Sequence, residues 1–108
     1  MPIGFDNNAQ VYTATSSGDT IGTSNVYKSF AIQVVSTDAA ATAWNVVLEG
    51  SLDSVNFTTI LTHTQATGDK AILFSGATLF PVKYFRSRVN SITLGSATNI
   101  VVYIIGVQ

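Results

Sequence analysis

The sequence contains no cysteine and a single histidine, His63. The first absence excludes disulfides, zinc fingers and a thiol nucleophile. The second removes most transition-metal sites and most acid–base relays. Charge is scarce as well: Asp, Glu, Lys and Arg make up 10% of the 108 residues, against roughly 25% in an ordinary soluble domain. Five basic residues face six acidic ones, for a net charge of −1. A polyanion-binding protein needs surplus positive charge to release counterions, so no nucleic-acid partner is expected. No apolar run approaches the roughly 20 residues of a membrane span, so no membrane partner is expected either. The start, Met1-Pro2-Ile3-Gly4-Phe5-Asp6, lacks the basic and long apolar regions of a secretory signal. The chain is therefore expected to be made in a cytoplasm and not exported by that route.

Hydroxyls and amides replace the missing charge: 11 Ser, 14 Thr and 7 Asn account for 32 residues, while 46% of the chain is hydrophobic. Val, Ile and Thr number 12, 9 and 14, a β-branched bias that favours strands. Turn residues recur about every 8–12 residues, the spacing of sandwiches and barrels. The expected fold is all-β, an antiparallel β-sandwich, with a small jelly roll of seven or eight strands as the architecture. Residues 1–25 are mixed and polar and are read as an N-terminal arm or an edge strand with loops; residues 26–108 are read as the sandwich domain.

Within that domain, Val26 to Ser36 alternates as one strand with Phe30, Ile32 and Val34 on one face. Trp44 to Gly50 alternates again, with Trp44, Val46 and Leu48 inward and Asn45 and Glu49 outward. Phe57 to Thr64 closes a hairpin with it. A loop is expected over 65–70, a short buried strand over 71–74, a turn at Ser75-Gly76-Ala77-Thr78, and a connection at Phe80-Pro81. Lys83 to Val89 puts Phe85 and Val89 on one face and Arg86 and Arg88 on the other. Ile100 to Val107 is the last strand and is apolar on both faces. Trp44, Phe30, Phe57, Phe85 and Tyr103 are the expected core aromatics.

Three stretches carry a further pattern. They are Trp44-Asn45-Val46-Val47-Leu48-Glu49-Gly50-Ser51-Leu52-Asp53-Ser54-Val55-Asn56-Phe57-Thr58-Thr59-Ile60, then Phe80 to Val89 with its Tyr84-Phe85-Arg86, then Ile100 to Gly106. Together they resemble small jelly-roll virion proteins of tailed bacteriophages, of the capsid decoration (cement) type. The hairpin is also similar to the S-x-D-G-x-x-W hairpin of discoidin-like sandwiches, with Ser54 at the glycine and Phe57 at the tryptophan. The resemblance implies a non-enzymatic structural protein on the outer capsid surface of a virion. It further implies the major capsid protein as partner and self-association as a homotrimer. A tail, neck or fibre module and a carbohydrate-binding module are the alternatives.

Candidate chemistry is thin. His63, near the end of the strand Phe57–Thr64, is expected as a surface or strand-end histidine. Asp38, Asp53 and Asp69, with Asn56 and Asn90, fall in loops without the D-x-[DN]-x-[DN]-G spacing of a calcium loop, so turn capping is expected of them. No cofactor, metal or catalytic residue is assigned. Lys83, Arg86 and Arg88 form the basic cluster, and Tyr84 shares the face of Arg86 and Arg88. An acidic partner or a glycan is the ligand that this face would take. The other candidate is the second face of the last strand, Val101, Tyr103, Ile105 and Val107. Antiparallel sandwiches normally keep one face wet, so an apolar second face points to a subunit or partner contact.

Overall fold

The computed structural model describes residues 5–39, 41–65, 73–77 and 82–108, with the backbone alone at 23–25, 65 and 73–77. The strands are β1 (Phe5–Tyr12), β2 (Ser16–Ser17), β3 (Ile21–Tyr27), β4 (Ser29–Ser36), β5 (Ala43–Ser51), β6 (Thr58–Gln65), β7 (Leu73–Ala77), β8 (Val82–Thr93) and β9 (Ile100–Val107). There is no helix among the described residues. Sheet A has the order β1-β9-β4-β7, and sheet B the order β2-β8-β5-β6 with β3 also on β8. All pairings are antiparallel. Strands β2 and β3 lie end to end along β8, at Ser16↔Val89 and Ile21↔Phe85. The two together fill one edge position.

Period-two alternation builds the core between the sheets. Sheet A turns Phe30, Ile32, Val34, Ile100, Val102 and Ile104 inward; sheet B turns Trp44, Val46, Leu48, Phe85 and Val89 inward. Each such side chain, fully buried, contributes about 1.5–3 kcal/mol. Phe85 is the hinge of the packing. Its ring meets Tyr27 and Phe30 edge-on, with centroids 5.0 and 5.5 Å away. Gly106 lies opposite, where a Cβ would come within 2.7 Å of the Phe85 ring. The absent side chain is what lets β9 approach sheet B here.

Several expectations are corrected. The stretch 26–36 is not one strand: it divides at Lys28, with β3 in sheet B and β4 in sheet A. Ser75 to Ala77 are not a turn but strand β7, because Ala77, Gly76 and Ser75 pair with Phe30, Ala31 and Ile32. Asn90 does not end its strand. It is the extra residue of a bulge, since Asn45 pairs with Ser91 and Val46 with Val89. Thr78, the loop at 66–70, the start of the strand read at 71–74 and the connection at Phe80-Pro81 lie outside the described residues.

Candidate functional site

The chemically suggestive groups lie in three places. The first is the interior. His63 is 1% exposed, which corrects the surface reading. Its register partner on β5 is Val46, an inward position. A polar ring is tolerated there because Trp44 Nε1–H donates to His63 Nδ1 at 2.9 Å. That bond makes Nδ1 the acceptor of a neutral imidazole. Tyr12 is likewise internal: its hydroxyl meets both Ser87 Oγ and Ser87 O. Burial raises the Tyr12 pKa, and the Ser87 bond offsets part of the rise. The Tyr27 hydroxyl donates to the Asp6 carboxylate, tying β3 to β1.

The second place is the outer face of sheet B. Glu49 points outward from β5, yet it is 5% exposed. Arg86 Nε bonds its Oε1 at 3.0 Å, and Arg88 Nη1 stands 3.7 Å from its Oε2. The Arg86 guanidinium also lies 3.8 Å above the Phe57 ring centroid, a cation–π geometry. Phe57 is thus a half-buried cover on the outside and not a core aromatic. The ring under Arg86 is Phe57; Tyr84 sits on the same face, half-buried, and Lys83 is exposed near the strand start. Next to them Asn90 Nδ2 donates to Asn45 Oδ1, and Asn45 Nδ2 to Thr64 Oγ1. The hairpin loop continues this pattern of internal satisfaction. Asp53 Oδ1 accepts from the amides of Val55 and Asn56, and Oδ2 from Asn56 Nδ2. Ser51 Oγ accepts from the amides of Asp53 and Ser54, the latter at φ 66°. The Asn56 amide, then that of Val55, hold the Asp53 carboxyl well below the usual carboxylate range. Leu52 and Val55 project from this fixed loop into solvent.

The third place is the outer face of sheet A. Here β1 contributes Phe5, Asn7, Ala9 and Val11, β9 contributes Val101, Tyr103, Ile105 and Val107, and β4 contributes Ser29, Ala31, Gln33 and Val35. None of these residues is charged. Phe5, Val11 and Tyr103 are 60%, 55% and 45% exposed; the other β9 members are half-buried. Tyr103 is therefore outside the core, against expectation. Asn7, Ala9, Ala31, Gln33, Tyr103 and Ile105 line a groove of about 370 Å³. The sequence reading found the β9 members of this face. It missed Phe5, Ala9 and Val11, which the register of β1 against β9 brings alongside them.

Among the described residues, no three of His, Cys, Asp and Glu lie together as a metal would need. No protein-family model matches the sequence, and neither does any curated protein. One solved structure is similar in fold: the crystal structure of the SPBc2 prophage-derived protein YomS. It has a TM-score of 0.68 and 9% identity over 100% of this chain and 96% of that one. The two share a fold along their whole length at an identity that carries no residue-level correspondence.

Proposed function

We propose that this chain is a non-enzymatic structural protein of a phage virion, a decoration protein that binds the outer capsid shell and stabilises it. The observation that carries the reading is the outer face of sheet A. Twelve side chains from three strands form a face without charge, with an apolar groove at its centre. Exposed apolar patches of this kind mark protein contacts. The fold shared with a prophage-derived protein supports a phage setting. The strand orders of the two sheets, with eight positions filled, support a jelly roll.

In this reading the chemistry is adhesion. The partner is the major capsid protein, and the protein is made in the host cytoplasm before it reaches the virion surface. Repeated copies on a symmetric shell gain avidity, so modest single contacts suffice. The test is co-sedimentation with purified shells built from the major capsid protein. Wild-type protein is expected to pellet with the shells, and Tyr103→Lys with Ile105→Lys to stay in the supernatant. Equal pelleting of both, or of neither, refutes the reading. Copy number separates shell from tail: hundreds per particle fit decoration, and a handful would assign the protein to the tail, neck or fibre.

A further inference from the structure

We propose that the free edge of β1 is a self-association surface, on which a second copy of this chain adds its own β1 antiparallel, about a two-fold axis through Asn8. The proposal goes beyond the shell reading and stands apart from it.

Among the described residues strand β1 is terminal in sheet A; its neighbour is β9, paired without a break from Phe5↔Val107 to Tyr12↔Ile100. In an antiparallel pair alternate residues direct their N–H and C=O groups to one side. Half of the backbone groups of β1 therefore face away from β9, along the open edge. Proteins blunt such edges with Lys, Pro, bulges or short strands. Phe5-Asp6-Asn7-Asn8-Ala9-Gln10-Val11-Tyr12 has eight residues, no Lys, no Pro and no bulge. Its one charge, Asp6, is held by the Tyr27 hydroxyl. The edges of sheet B are different. Strand β3 loses register between Gly22 and Tyr27, and β6 is bulged between Thr59 and Leu61.

The strand is also complementary to itself. A two-fold at Asn8 keeps each side chain on its own face of the joined sheet. It sets Phe5 against Val11 of the second copy, Asn7 against its Ala9, and Asp6 against its Gln10. Phe5 and Val11 are the large exposed apolar residues of β1, and this register brings them together twice. On the axis the two Asn8 amides face one another. Asn8 Oδ1 is buried with no hydrogen-bond partner among the described residues, so the axis falls on the residue with an acceptor to satisfy. The joined sheet also extends the uncharged outer face across both copies.

The test uses the full chain and its mass in solution by light scattering. Wild type is expected at twice the chain mass. Phe5→Lys with Val11→Lys, both at exposed positions, is expected at the monomer mass with an unchanged circular-dichroism spectrum. Phe5→Lys with Val11→Glu restores the dimer, because the register faces each new cation with an anion. The absence of cysteine allows a second measurement. Facing antiparallel residues have Cα atoms about 4.5–5.5 Å apart, within disulfide reach. Asn8→Cys is therefore expected to oxidise to a covalent dimer. Val11→Cys is not, since its two copies stand about 20 Å apart at ~3.4 Å per residue. A wild-type monomer at high concentration, a trimer, or a dimer indifferent to both charge pairs overturns the proposal. So does Val11→Cys cross-linking as well as Asn8→Cys.

Discussion

The outer faces of the two sheets differ in where their polar groups find partners. On sheet B, Glu49 holds Arg86 and Arg88, Phe57 lies under Arg86, and Asn45 links Asn90 to Thr64. That face is satisfied by its own chain. The outward residues of β1, β9 and β4 on sheet A carry no charge, and Phe5, Val11 and Tyr103 remain in contact with water. The contrast teaches where a charge-poor protein spends its few charges. They close the outer face of sheet B and are absent from the face proposed to dock. A rim ion pair would have to be desolvated on binding, whereas an apolar groove gains from losing its water.

The comparison can be broken most directly at Glu49. Glu49→Ala leaves two guanidinium groups without their carboxylate. It is expected to cost about 2 kcal/mol in chemical denaturation, short of the roughly 3–5 kcal/mol for a fully buried pair because both arginines keep some access to water. A smaller loss follows from Phe57→Ala, about 0.5–1 kcal/mol from the cation–π contact, read in the same experiment. On sheet A the expectation inverts. Exposed Tyr103→Lys is expected to leave stability within about 0.5 kcal/mol, as surface substitutions do, and half-buried Ile105→Lys to cost about 1 kcal/mol, while the pair abolishes shell binding.

The smallest effect is local and depends on pH. The Asp53 carboxyl is depressed by the amides of Asn56 and Val55. A depressed acid stabilises its loop above the ordinary carboxylate value of about 4 and loses that contribution as pH falls through the folded value. An NMR titration should find Asp53 with a midpoint below that of the ordinary value, and the Val55 and Asn56 amides moving with it. A midpoint near 4 would mean that the loop is not fixed as described.

Much of the sandwich was legible because β4, β5 and β8 alternate at period two and β9 is an apolar, β-branched run of strand length. The outward set of β9 could be read the same way. Strand β1 was not legible, since it inverts the usual pattern: Asp6, Asn8 and Gln10 face inward at the sheet margin, and Phe5 and Val11 face out. Its place is set by pairing with β9, far along the chain. The first half of β7, Leu73-Phe74, was legible as a strand, but its second half was hidden by Ser75-Gly76, whose turn propensity is overridden by the ladder to β4. The position of His63 depends on a donor on the neighbouring strand, Trp44 Nε1. That of Phe57 depends on Arg86, which folding alone brings above it. Partners distant in sequence leave no local signal.

The proposal places the outer face of sheet A against the shell and leaves the outer face of sheet B in water. A reconstruction of the native particle at side-chain resolution tests it most directly. Tyr103 and Ile105 are expected to be buried against the outer shell, with Glu49, Arg86 and Arg88 facing solvent. Density with Arg86 and Arg88 in the contact and Tyr103 in water would contradict it.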